Sequence, residues 1–273
     1  MRQAMRIGFL AVVALVVVGA AAMAQEVSFK DPVGDDNGPG TYTYPTDAVY
    51  KPGSFDLTSF KMKKAGDKYQ LDFGVNATLE AKCWSMEYGF CVQMIFVFVQ
   101  SDPATGHTDG IPGLNIKFAS GSGWNKAIIV SPQPASRVKD EVALKMAKGL
   151  QADVIVPVRV KGAGRTISAW IDAKDLPQGD ITAWGYQVGM QSNEGFPAAT
   201  DLLTRKVNEY EGQHRFGGGN DGDCDPHVID ILAGNGTGDK SEVDLQHKML
   251  AYECNADGTS KAMATLTMVH MKK

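Results

Sequence analysis

Short strand-like runs separated by turn residues extend through most of this chain, and they limit its fold more than any other feature. Residues 91–100 read CVQMIFVFVQ, a run rich in β-branched and aromatic residues that predicts one buried strand. Residues 55–62 and 68–75 alternate in polarity on either side of Lys64-Ala65-Gly66-Asp67. This arrangement predicts a β-hairpin.

The remaining runs follow the same pattern. Strands are predicted at 127–130, 153–160, 166–171, 181–190 and 263–270, with a second hairpin turn at 161–165. Residues 135–150 fit either a helix or a pair of strands, and residues 242–252 predict a short helix. Evenly spaced strands with Gly-, Pro- and Asp-rich turns favour an all-β fold over βαβ units. We therefore expect an antiparallel β-sandwich with long loops and at most one or two short helices.

The first 24 residues predict a secretory signal peptide. Arg2 and Arg6 precede an apolar run at 7–18, and Ala22-Met23-Ala24 is a small-residue cleavage site. The run is too short to span a bilayer comfortably. We expect residues 25–273 to form a single periplasmic or extracellular domain, with no membrane span after the signal is removed.

Charge and cysteine content limit the expected partners and the covalent structure of the chain. The chain carries a net charge of −4 with no Lys/Arg stripe, which excludes nucleic acid as an expected partner. An even number of cysteines in an exported protein predicts disulfides, and four cysteines allow three pairings. We favour Cys83–Cys91, which closes a short loop, and Cys224–Cys254, which joins two loops near the C-terminus.

Acidic residues in the first loop predict a metal site. Asp31, Asp35 and Asp36 lie in a Gly/Asn/Pro-rich stretch, with Asp47 and Asp56 close by in sequence. Hard oxygen ligands on a flexible loop suit Ca²⁺, although the spacing is not that of an EF-hand. The alternative is that these acids form Asx-turns and cap backbone N–H groups.

A second acidic stretch follows a triple glycine. Asp221 and Asp223 come directly after Gly217-Gly218-Gly219 and form a weaker second metal candidate. We expect Asp230, further along the same stretch, to cap neighbouring backbone instead. No GK[ST] sequence follows the glycines, so a P-loop is excluded.

Several motifs together resemble a known family. In order they are DPVGDDNGPGTYTYPTD, GSFDLTSFKM, IPGLNI before WNKAIIV, and RFGGGNDG before HVIDIL. They are similar to the C-terminal domain of glucodextranase, over residues 31 to about 231 and again near the C-terminus. The resemblance implies a β-sandwich related to DOMON and carbohydrate-binding modules. It also implies a sugar-binding or cell-surface role, with hydrolysis carried by a different domain.

We therefore expect a calcium-supported, non-catalytic module whose partners are polysaccharide or cell-surface glycan, and also other envelope proteins. The sequence has no GxSxG or HExxH motif that would indicate catalysis. Sugars stack on aromatic rings, and the candidate rings are Trp84, Tyr88, Trp124, Tyr42 and Tyr44. Two alternatives stay open: a b-type haem protein using some of the many methionines, and a structural protein of the cell surface. Haem is the less favoured, because methionine commonly fills gaps in a core.

Overall fold

The computed structural model describes residues 25–198, 201–220, 222 and 224–272. The predicted signal peptide at 1–24 and the candidate metal residues Asp221 and Asp223 lie outside the described residues. In chain order the strands are β1 (Glu26–Lys30), β2 (Leu57–Ala65), β3 (Lys68–Val75), β4 (Gln93–Gln100), β5 (Ile116–Phe118), β6 (Lys126–Val130), β7 (Val154–Ile155), β8 (Arg159–Ala163), β9 (Thr166–Asp172), β10 (Gly185–Ser192), β11 (Asp230–Ile231), β12 (Glu253–Cys254), β13 (Ser260–Ala262), β14 (Ala264–Leu266) and β15 (Val269–His270). The helices are α1 (Ala135–Lys145), α2 (Lys148–Gln151) and α3 (Ser241–Leu250), with 3₁₀ turns at Ala173–Asp175 and Ile181–Ala183.

Two mainly antiparallel sheets form the sandwich. The first has the order β1-β2-β3-β9-β8. The second has the order β11-β10-β4-β6-β7, with β15 also paired to β10 and with β6 and β7 parallel. Two small pairs, β12 with β13 and β14 with β5, lie outside these sheets. The predicted all-β sandwich is confirmed.

The second sheet is buried on both faces, which explains its continuous apolar strands. Ile95 and Val97 of β4 pack in the core between the sheets, together with Phe60 of β2. Phe96 and Phe98 of the same strand point the other way, into a second core covered by α1 and the long loops. The prediction of one buried strand within residues 91–100 is therefore confirmed.

The structure corrects four details of the predicted elements. The expected strand at 181–190 begins with the 3₁₀ turn at Ile181–Ala183, and β10 starts only at Gly185. The expected strand at 153–160 is two strands, β7 in the second sheet and β8 in the first, because Pro157 between them has no N–H for a strand ladder. The expected last strand at 263–270 is likewise split into β14 and β15. The described residues contain three α-helices instead of at most two, although α2 has only four residues.

Both predicted disulfides are present. Cys83 pairs with Cys91 across the loop before β4, and Cys224 pairs with Cys254 at β12. Within the described ranges, none of the helices is long and apolar enough to cross a membrane.

Candidate metal centre and aromatic groove

Three aspartates from separate parts of the chain meet where the two sheets join. Asp31 follows β1, Asp35 lies four residues further along the first loop, and Asp230 opens β11. One carboxylate oxygen from each lies within 4.8 Å of the others. We call these three residues the carboxylate centre.

The carboxylate centre is buried and has few internal partners. Asp35 and Asp230 are fully buried and Asp31 is 4% exposed. Neither oxygen of Asp31 or Asp35 accepts a hydrogen bond of ordinary geometry from the described residues, and Asp230 Oδ1 also lacks one. Asp230 Oδ2 accepts a hydrogen bond from the Leu57 amide at 2.7 Å. Buried carboxylate oxygens of this kind are energetically unfavourable unless a proton or a cation neutralises them.

The pKa values of the centre reflect this environment. Burial raises the pKa of Asp31 well above its ordinary value, and the Asp35 carboxylate raises it further, while the Ala233 backbone amide opposes the rise. Burial, followed by repulsion from Asp56, raises the pKa of Asp35 to about 7. The pKa of Asp230 is raised by burial and then by Asp31 and Asp35.

The other acids predicted for the metal site fall into two groups. Asp56 borders the centre: its Oδ2 accepts hydrogen bonds from the Gly34 amide at 2.8 Å and Asn76 Nδ2 at 2.9 Å, and its buried Oδ1 has none. Asp36 and Asp47 are not among the three clustered carboxylates. The Tyr44 hydroxyl donates to Asp36, and Asp47 caps the Val49 amide at 3.0 Å, as the Asx-turn alternative expects.

Helix α3 fixes the loop that carries the centre. Gln246 Oε1 accepts a hydrogen bond from the Ile231 amide at 2.8 Å, and its Nε2 donates to the Asp35 carbonyl. One side chain therefore holds both the first loop and β11 in place. Glu242, one turn earlier, accepts hydrogen bonds from the amides of Asn235, Thr237 and Gly238 and so shapes the turn that covers β1.

The carboxylate centre could hold one hard divalent cation. Its donors are all carboxylate oxygens, which Ca²⁺ prefers, and it has no thiolate or imidazole that would favour zinc or copper. Sequence reasoning found Asp31 and Asp35 but assigned Asp230 to backbone capping. Asp230 does cap Leu57, but it also completes the centre. Only the pairing of β11 with β10 brings it there, since it is far from Asp31 in sequence.

The predicted aromatic residues also separate into two groups. Trp84 and Tyr88 line one open groove together with Phe196, which is 81% exposed. Trp124 is fully buried and its indole N–H donates to the Asp109 carbonyl at 2.8 Å, so it belongs to the core. Tyr42 is also buried, and its hydroxyl donates to the Pro226 carbonyl at 2.5 Å. Tyr44 is half-buried between Asp36 and Phe216 and does not line the groove.

Comparison with known proteins agrees with this architecture. No curated protein matched the chain. Residues 27–268 match the family model for the C-terminal binding-module, SLH-like, of glucodextranase. That model describes a binding module and not a catalytic domain, and it covers all three residues of the carboxylate centre as well as Trp84, Tyr88 and Phe196. The chain therefore belongs to the family of glucodextranase C-terminal, SLH-like binding modules.

Proposed function

We propose that this protein is an exported, non-catalytic module that binds polysaccharide or cell-surface glycan and whose fold is supported by one calcium ion. The observation that carries the proposal is the carboxylate centre, inside a chain that belongs to a family of binding modules. Family membership supports glycan binding, and the buried oxygens of Asp31, Asp35 and Asp230 support the calcium ion.

Charge balance favours a cation over a purely polar arrangement. Within the described ranges, no Lys, Arg or His lies within ion-pair distance of Asp31, Asp35, Asp56 or Asp230. The charged side chains that shift the pKa values of Asp31 and Asp35 are other carboxylates. A bound Ca²⁺ would neutralise this repulsion and satisfy the orphaned oxygens together. It would also join the exit of β1 in the first sheet to β11 in the second.

Calcium binding can be tested by equilibrium dialysis with radioactive calcium after the protein has been stripped of metal. We expect one ion per chain, and we expect Asp31→Asn to weaken binding at least about tenfold because it removes a buried charged ligand. Asp47→Asn is the matched control, because Asp47 lies in the same region of sequence but outside the centre. Equal calcium binding by wild type and Asp31→Asn would overturn the metal assignment.

Glycan binding needs a separate test. Affinity gels containing α-glucans or cell-wall glycans, run with calcium and with chelator, should show weak retardation that calcium strengthens. No retardation in any gel under either condition would refute glycan binding and leave an assembly role at the cell surface. Mass spectrometry of the protein recovered outside the cytoplasm tests export, and a mature chain that begins at Gln25 is the expected result.

The haem alternative would use methionine side chains of this chain. Met94 and Met190 are fully buried in the two hydrophobic cores, where they fill space between apolar side chains. These two methionines therefore give no support to a haem site.

A further inference from the structure

A continuous groove crosses the surface at Tyr88. Three adjoining cavities of about 340, 160 and 280 Å³ are all lined by this residue. Gln133 is shared by the first two cavities, and Arg159 is shared by the last two. A row of adjoining, partly open cavities suits an extended polymer better than a compact small molecule, which prefers one enclosed pocket.

The groove presents aromatic side chains to solvent. Trp84 and Tyr88 are half-buried, and Phe196 beside them is 81% exposed. Val158, which lines the middle cavity, is 55% exposed. Exposed apolar side chains that gather in one place commonly mark a binding surface. Flat rings with apolar faces give the C–H faces of sugar rings a surface on which to pack.

The loop that carries Trp84 and Tyr88 is constrained by its disulfide and by close backbone contacts. Trp84 and Ser85 have φ values of 52° and 60°, a conformation that residues other than glycine rarely adopt and that is often retained at functional sites. The Cys83–Cys91 disulfide closes the loop. A rigid surface binds a ligand with less loss of conformational entropy.

Two close backbone approaches seat this loop against its neighbours. A Cβ at Gly195 would lie 2.3 Å from Trp84 Cβ, so only glycine allows the tryptophan to pack there. A Cβ at Gly89 would lie 2.4 Å from the Gly162 carbonyl oxygen of β8. The Gly162 amide also donates to the Tyr88 carbonyl at 2.6 Å, which fixes Tyr88 beside the edge strand of the first sheet.

The groove is locally basic on an acidic protein. The charged residues that line it are Arg137, Arg159, Lys161 and Glu87, a net charge of +2, whereas the whole chain carries −4. Arg159 is held above the Trp170 ring, 4.5 Å from the ring centroid, so its guanidinium is positioned and not freely mobile. Cations at both ends of an aromatic groove are complementary to a sugar polymer that bears negative charges.

We infer that this groove binds a polysaccharide segment whose sugar rings carry carboxylate groups, such as a run of uronic acid residues. The inference rests on the proposed glycan-binding function and specifies its site and ligand class. The rings of the polymer pack on Trp84, Tyr88 and Phe196. Its carboxylates lie near Arg137 at one end and near Arg159 and Lys161 at the other.

The test compares two probes of equal length, hexagalacturonate and maltohexaose, by isothermal titration calorimetry of the full mature chain at fixed calcium concentration. We expect hexagalacturonate to bind about tenfold more tightly. We also expect this advantage to shrink as salt is raised, because ions screen exposed charges. Equal affinities that do not change with salt would overturn the preference for carboxylates.

Variants locate the site. Arg159→Gln with Lys161→Gln should weaken hexagalacturonate binding about tenfold and leave maltohexaose binding nearly unchanged. The matched control is Lys61→Gln with Lys63→Gln, because these two lysines are also exposed and alternate along one strand, β2. Phe196→Ala removes a mostly exposed ring and should weaken both probes, whereas Tyr210→Ala, at a ring that is 73% exposed elsewhere, should weaken neither.

The outcomes separate this inference from the proposed function. If both probes bind and Arg159→Gln with Lys161→Gln does not change the affinity for hexagalacturonate, the proposed carboxylate recognition is wrong. Glycan binding itself then stands. If binding persists in Phe196→Ala and falls in the Lys61/Lys63 control, the site lies elsewhere. If neither probe binds and no gel retards the protein, the proposed function itself fails. Thermal melting of each variant verifies that it is folded.

Discussion

Two buried clusters of charge in this protein are balanced in different ways. Arg205 is 1% exposed, and its guanidinium contacts Glu194 at 2.9 Å, Asp201 at 3.4 Å and the His214 carbonyl at 2.7 Å. That cluster contains both signs of charge. The carboxylate centre of Asp31, Asp35 and Asp230 contains only one.

The difference shows what each cluster requires. Around Arg205, the chain supplies the opposite charges itself, and the fold needs nothing from outside to neutralise them. At the carboxylate centre the described residues supply no opposite charge, so protons or a metal ion must do so. The second cluster should therefore respond to calcium and pH, and the first should respond to neither.

Removal of calcium should produce the largest effect. An ion that binds only the folded state stabilises it by about 4 kcal/mol when its free concentration is a thousand times its Kd. For a chain of this length, that loss on adding chelator should lower the Tm by on the order of 10 °C. Differential scanning calorimetry in calcium and in EDTA measures the shift. An unchanged melting curve would mean that the carboxylate centre, like the Arg205 cluster, does not respond to calcium.

Substitution of Arg205 should have the next largest effect. Arg205→Met removes the buried cation that pairs with both Glu194 and Asp201, and among the described residues Asp201 keeps an ion pair with Arg215. We expect a loss of about 3 kcal/mol, at the lower end of the range for buried ion pairs because the two acids are partly exposed. Urea denaturation in calcium and in EDTA should give the same difference from wild type. A difference that depends on calcium would mean that the clusters are coupled.

The pH dependence of the metal-free protein should be smaller. In the folded state the pKa of Asp35 is about 7 and that of Asp56 about 6, against an ordinary value of 3.8 for both. The folded state therefore binds more protons than the unfolded state, and the free energy of unfolding falls as pH rises through these two pKa values. The raised pKa values of Asp31 and Asp230 extend the fall to higher pH. Between pH 6 and pH 8 Asp35 and Asp56 should lower the free energy of unfolding by about 2 kcal/mol.

Calcium provides the control for this pH dependence. Saturating calcium should abolish most of the decrease in the free energy of unfolding with pH, because the bound ion takes the place of the protons at Asp35. Denaturant titrations at several pH values, with and without calcium, measure both curves. Stability of the metal-free protein that rises between pH 6 and pH 8 would contradict the raised pKa values.

The sandwich was predictable from local patterns, since hairpin turns and alternating strands are encoded within a few residues. The turn at Lys64-Ala65-Gly66-Asp67, which joins β2 to β3, illustrates this. The split of 153–160 was missed because hydrophobicity continues across Pro157 while the chain passes from one sheet to the other.

The sequence indicated two of the three residues of the carboxylate centre but not the third. Asp31 and Asp35 share a loop, but Asp47 in the same region does not join them, and Asp230 comes from a distant strand. Sequence spacing does not report which acids a sandwich brings together, because sheet pairing decides it. Phe196 was missed for a similar reason: it lies in a loop after β10 and reaches Trp84 only through the fold.

Glu141, a buried acid outside both clusters, gives the smallest expected effect and the clearest control. Glu141 of α1 is 2% exposed, but its carboxylate accepts hydrogen bonds from the Leu202 amide at 3.0 Å and the Leu203 amide at 2.9 Å, and it pairs with Lys145 at 2.8 Å. Glu141→Gln keeps the shape but turns one N–H of the new amide toward a backbone donor. It should lower the free energy of unfolding by about 1 kcal/mol.

That loss should be the same with calcium and with EDTA, because Glu141 already has its partners within the chain. Asp140→Asn, at the exposed neighbouring position of α1, is the matched control and should change little. Urea denaturation of both variants gives the comparison. If Glu141→Gln proved calcium-dependent, burial of a carboxylate alone would be enough to produce sensitivity to calcium. The absence of internal partners would then no longer distinguish the carboxylate centre from the other buried acids.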